Sequence, residues 1–176
     1  MASDQIYLGN PLLKKANVKQ DFTKEQIEEY VKCAKDPVYF TKNYVQIVSL
    51  DEGLVPFKMW DFQEELIRKF HKDRFNIAKL PRQTGKSTTV VSYLLHYALF
   101  NDSVNIGILA NKASTARDLL GRLQTAYENL PKWIQQGVIS WNKGSMELEN
   151  GSKILAASTS ASAVRGMSFN IIFLDE

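Results

Sequence analysis

Residues 80–88 read LPRQTGKST, between a short, partly alternating run at 74–79 and a stretch from Gly85 in which Val90, Val91, Leu94, Leu95, Ala98 and Leu99 are apolar nearly all round. The first run has the period of a strand and the second that of a helix packed between other elements. A glycine-bearing loop between strand and helix is suited to a polyphosphate, because converging backbone N–H groups and the helix dipole both favour an anion there. In that setting Gly85 permits close backbone approach, Lys86 neutralises charge at the β- and γ-phosphates, and the Ser87 hydroxyl ligates Mg²⁺. The loop departs from the usual G-x-x-x-x-G-K-[ST] at its start, where Leu80 stands in place of the first glycine. That glycine mainly serves loop curvature, and a residue before proline is already held extended, so Leu80 can close the strand instead. Arg82 then lies on the loop within reach of a terminal phosphate, where a guanidinium stabilises developing charge.

Such a site also needs a carboxylate at the end of a nearby buried strand. Residues 171–176, IIFLDE, supply four apolar residues followed by Asp175, the candidate Mg²⁺-shell acid, and Glu176, placed to orient and polarise an attacking water. Both signals fall at carboxyl ends of predicted strands, where open α/β sheets bind ligands. Between them, the continuous β-branched run at 104–110 predicts a buried parallel strand. Ala116, Leu119, Leu120, Leu123, Tyr127 and Leu130 predict an amphipathic helix closed by Pro131. VISWNKG and SMELENGSKILAAS predict short strands, with Asn150-Gly151 as a two-residue hairpin turn. The alternation of strands and helices predicts an α/β fold with a mainly parallel central sheet flanked by helices.

The first twenty residues carry no clear periodicity and read as an arm. Thr23 with Gln26 has capping-box spacing, and Ile27, Tyr30, Val31 and Ala34 follow at helical intervals. DPVYFTKNYV continues as a proline-started helix, and Asp51-Glu-Gly53 reads as a turn. A further helix begins near Asp61, with Phe62, Leu66, Ile67 and Phe70 on one stripe. The organisation expected is an arm over 1–20, a helical lead-in over 21–60 and a core over 61–176 that is truncated at the strand ending in Asp175 and Glu176. Phe62 with Gln63 pairs a stacking ring with a carboxamide that can read the N6 and N7 edge of adenine, although Phe62 fits the apolar stripe equally. Arg165, in AVRGMS ten residues before Asp175, could act as an arginine finger, in cis or towards a neighbouring subunit; it could equally cap a helix or bind a carboxylate.

Bulk properties narrow the classes less. Lys and Arg exceed Asp and Glu by 22 to 19, a net charge of +3 that neither demands nor excludes a polyanionic partner. One cysteine, Cys33, cannot form an internal disulfide, and the two histidines beside it make no metal cluster. No apolar run reaches the ~18 residues of a membrane span, and the amino terminus lacks the features of a signal peptide.

WDFQEEL, LPRQTGKST, GILANKAS, WNKGSMELENGS, AVRGMSF and IIFLDE, in that order, resemble the ATPase domain of the large terminase subunit of tailed bacteriophages. The resemblance implies a P-loop NTPase fold that uses ATP and Mg²⁺ to drive double-stranded DNA into a procapsid. It implies that Phe62 and Gln63 form the adenine motif, that Arg82, Gln83, Thr84, Gly85, Lys86, Ser87 and Thr88 form a deviant phosphate loop, and that Asp175 supports the metal. It further implies Glu176 as catalytic carboxylate and Arg165 as a finger that completes a neighbour's site in a ring. The implied partners are DNA, the portal protein and the small terminase subunit, in the cytoplasm of an infected bacterium and outside the mature virion. Family members continue past the acidic pair into a coupling segment and a nuclease domain, so this sequence is expected to be a fragment lacking both. A helicase-type DNA translocase and a non-catalytic module that binds nucleotide, DNA or portal are the alternatives.

Overall fold

A computed structural model describes residues 5–49, 51–160 and 164–175. The amino-terminal segment is more ordered than its lack of periodicity predicts: β1 (Ile6–Tyr7) and β2 (Asn10–Lys14) form an antiparallel pair. It packs on the main body, with Leu13 and Lys14 buried and Lys15 bridging to Val138. Helix α1 (Lys24–Lys35) opens with the expected capping box at Thr23 and Gln26, and α2 (Pro37–Tyr44) with Asp36 accepting from Val38 and Tyr39 N–H. The turn at Gly53 joins β3 (Gln46–Ser49) to β4 (Gly53–Pro56). Helix α3 (Asp61–Lys72) precedes the loop, and α4 (Lys86–Phe100) follows it.

The main sheet contains β5 (Asn105–Ala110), β6 (Val138–Trp141), β7 (Ser145–Leu148), β8 (Lys153–Ser158) and β9 (Ile171–Asp175), in the order β6-β7-β8-β5-β9. Helix α5 (Ala113–Glu128) leaves the carboxyl end of β5 and packs on α4, β5 and β8.

Two expectations are corrected. The sheet is mixed: β5 runs parallel to β8 and β9, while the β6–β7 and β7–β8 pairs are antiparallel. The reason lies in connection length, since strands joined by a tight turn such as that at Asn150 and Gly151 must run antiparallel, and only a crossover returns the chain in parallel. The run at 74–79 forms no strand, and Phe75 and Ile77 are 83% and 100% exposed. A strand exists through its ladder, and among the described residues β9 is the sheet's edge, with β5 as its neighbour.

One buried cluster joins all these segments, from Leu13 and Phe40 through Ile67 and Leu95 to Ile108 and Leu120. Each such side chain fully removed from water contributes about 1.5–3 kcal/mol. Helix α4 packs against α2, α3 and α5, which explains why its apolar residues encircle it. The approach to β9 is fixed by Asn170, whose N–H donates to Asn105 O while its Oδ1 accepts from Asn105 N. Phe169 lies against Gly107, where a Cβ would stand 3.2 Å from the ring. No helix among the described residues is long and apolar enough to cross a membrane.

Candidate functional site

The loop before α4 is built from two residues with left-handed backbone, Gln83 at φ 63° and Gly85 at φ 70°. Alternation of this kind makes the concave N–H nests that hold anions. The N-cap of α4 is Gly85, which makes no side-chain cap, and the amino end of a helix presents N–H groups that suit an anion. Thr84 Oγ1 donates to Pro81 O at 2.9 Å, and Thr89 Oγ1 donates to Gly85 O at 3.0 Å, pinning the loop from both sides.

A third tie comes from α3. Gln63 is 4% exposed; its Nε2 donates to Thr84 O at 3.0 Å and its Oε1 accepts from Trp60 N at 2.9 Å. A Cβ at position 85 would stand 2.7 Å from that Nε2, so the carboxamide fills the space that glycine leaves. Phe62 is half-buried against Trp60, ring centroids 5.6 Å apart, and Trp60 is exposed.

The opposite wall is the carboxyl end of β9. Asp175 pairs in register with Ala110, which brings its carboxylate to the mouth where β5 and β9 end. Arg82, Gln83, Gly85, Lys86, Ser87, Thr88, Arg122 and Asp175 line one cavity of about 400 Å³. Its described charged groups are the cations Arg82, Lys86 and Arg122 and a single carboxylate, Asp175. Ser87 Oγ and Asp175 are hard oxygen donors on one cavity, a set that suits Mg²⁺, which keeps several waters and takes few protein ligands.

The structure thus brings seven of the expected residues together and adds Arg122. Thr84 stands behind the loop, bonded to Gln63. Arg165 is exposed and lies outside the cavity lining, three residues before Ser168, whose carbonyl accepts from Asn105 Nδ2 at the amino end of β5. Glu176 lies outside the described residues. Arg122 carries no sequence signal of its own, because its place depends on how α5 packs against α4.

A second cavity of about 450 Å³ lies between the amino-terminal segment, α1 and residues 133–136. Its polar groups answer one another: Lys14 Nζ donates to Gln135 O at 3.4 Å, and Glu149 accepts from Gly137 N and Asn17 N. Desolvation pulls Lys14 below the usual lysine range, with Glu149 opposing. Among the described residues Arg82 and Arg122 have no such internal partners, so the loop cavity is the better candidate for a charged ligand.

The family model described as terminase large subunit, T4likevirus-type, N-terminal, matches residues 77–176. The crystal structure of the HK97 bacteriophage large terminase is similar with a TM-score of 0.66 at 18% identity, over 81% of this chain. At that identity the likeness is one of fold. The chain spans 31% of the length of that structure.

Proposed function

We propose, from the premise that this chain belongs to the T4-type large terminase family, that it is the nucleotide-binding part of a phage DNA-packaging motor with a P-loop NTPase core. The observation that carries the reading is the single cavity shared by Lys86 and Ser87 at a helix start and Asp175 at a strand end. Elements far apart in sequence converge there with the charge and donors that a nucleoside triphosphate with its metal needs.

In this mechanism the loop N–H groups and Lys86 hold the phosphate chain, and Arg82 meets charge that develops at its terminal phosphoryl group. Ser87 and Asp175 would hold Mg²⁺, which when bound neutralises phosphate charge. Glu176, next in sequence, is assigned to orient and polarise the attacking water. Gln63 keeps the loop in its binding shape, so hydrogen-bond donors need not reorganise when the anion arrives. Trp60 and Phe62 offer an aromatic surface beside that loop for the base. Arg165 is assigned to a neighbouring copy's site in a ring. Double-stranded DNA, gripped through its phosphates, is the cargo, with portal and small terminase subunit as partners.

The test is titration of this chain with ATP and Mg²⁺, beside Lys86→Ala. Saturable binding that weakens by tenfold or more in the variant, with an unchanged melting temperature, is expected. Absence of binding by the unaltered chain would overturn the reading.

A further inference from the structure

The reading of the loop cavity as a triphosphate site leaves Arg122, a lining residue outside the loop, without a role. Arg122 sits on α5, an element separate from both the phosphate loop and the acidic strand. Its neighbour one turn earlier, Asp118, has the spacing of an ordinary helix-surface ion pair. Both side chains are exposed, yet no ion pair or hydrogen bond joins Arg122 to Asp118 or to any other described residue. Arg122 instead borders the cavity that Arg82, Lys86 and Asp175 also line.

Its direction is set by the packing. Helix α4 contacts α3 and α5, and α3 carries Gln63 against the back of the loop, with Trp60 and Phe62 at its start. Helix α5 leaves β5, the neighbour of the strand that ends in Asp175. A phosphate chain with its base on the α3 side therefore has its terminal group on the side of Asp175 and Arg122. A planar fork of donors on that side suits bidentate binding of a terminal phosphoryl group, the group that a triphosphate has and a diphosphate lacks.

We propose that Arg122 binds the terminal phosphate and makes this cavity select a nucleoside triphosphate over the diphosphate. The proposal rests on the triphosphate reading above and assigns that site its discrimination. Arg122 reports occupancy of the last phosphate position to α5, and through α5 to β5 and β8, which pack beneath it.

The experiment measures affinity of the 176-residue chain for a non-hydrolysable ATP analogue and for ADP, each with Mg²⁺ at fixed ionic strength, in unaltered, Arg122→Ala and Arg122→Lys forms. Expected is a loss of about tenfold in analogue affinity for Arg122→Ala, ADP affinity held within about twofold, and partial recovery in Arg122→Lys. Equal losses for both nucleotides, or no loss for either, overturn the proposal while leaving the triphosphate site standing. If the unaltered chain binds neither nucleotide, the reading of the cavity itself falls, and the role of Arg122 with it. Thermal melting of each variant shows that the changes are not losses of fold.

Discussion

The carboxamide of Gln63 is bonded to the loop before α4 itself: Nε2 donates to the Thr84 carbonyl at 3.0 Å, while Oε1 accepts from Trp60 N at 2.9 Å. A residue expected from its carboxamide beside Phe62 to read adenine is thus engaged at both ends by backbone. Replacing it with leucine removes a buried donor and leaves the Thr84 carbonyl unanswered, at a cost of about 1–3 kcal/mol. Gln63→Leu is expected to weaken ATP, GTP and inorganic tripolyphosphate in equal proportion, because the loop that holds phosphate is loosened. A loss confined to ATP, with tripolyphosphate binding unchanged, would show that the carboxamide reads the base after all.

Gln135 fastens the amino-terminal segment to the body. It is 2% exposed; its Nε2 donates to the carbonyls of Leu12, Tyr127 and Leu130, and its Oε1 accepts from Lys14 N. Gln135→Leu keeps much of the volume but strands these groups, so unfolding in urea is expected to show a loss of about 1–3 kcal/mol. A midpoint unchanged from the parent would mean that water replaces the carboxamide at no cost.

His96 makes stability depend on acid. Cys33 O lacks the usual helical donor because the residue four positions on is Pro37, and His96 Nε2 supplies it at 2.8 Å. His96 Nδ1 is buried with no hydrogen-bond partner, and desolvation pushes the imidazole down to about 4 from 6.5. The unfolded chain therefore takes up a proton that the folded chain refuses. Stability is fully present above pH 6.5 and declines as pH falls towards about 4, by about 3 kcal/mol in all, after which this contribution is flat. His96→Gln retains a donor for Cys33 O and removes the titration, so its urea midpoint should change less between pH 7 and pH 4 than the parent's. Parallel pH profiles for the two proteins would refute this account.

Gly107 and Phe169 form a matched pair. A Cβ at Gly107 would meet Phe169 Cε1 at 3.2 Å, in a strand otherwise buried by Ile106 and Ile108. Gly107→Val is expected to displace the ring and destabilise the chain by about 1–3 kcal/mol. Phe169→Ala in the same molecule should relieve part of that loss, giving a coupling of 0.5 kcal/mol or more in a double-mutant cycle. Strict additivity would show that the two residues do not press on each other.

The sequence was most readable where local chemistry decides the outcome. The capping box at Thr23 and the proline start of α2 depend on neighbours a few residues away, and both stand where they were read; the hairpin turn falls at Asn150-Gly151 as read, but its loop also takes in Glu149, since Leu148 N donates to Ser152 O. The glycine-lysine-serine step at the start of α4 and the apolar strand that ends in Asp175 were readable for the same reason, since both are short patterns. The direction of β6 and β7, the unpaired run at 74–79, the engagement of Gln63 and the presence of Arg122 in the cavity were not. Each depends on a partner distant in the chain: a ladder forms only if another strand lies alongside, and a side chain reaches a site only if its helix packs at the right place. Residue spacing along the chain determines the elements and much of the loop chemistry; tertiary packing decides which groups meet, because hydrogen bonds and charges act over a few ångströms in space.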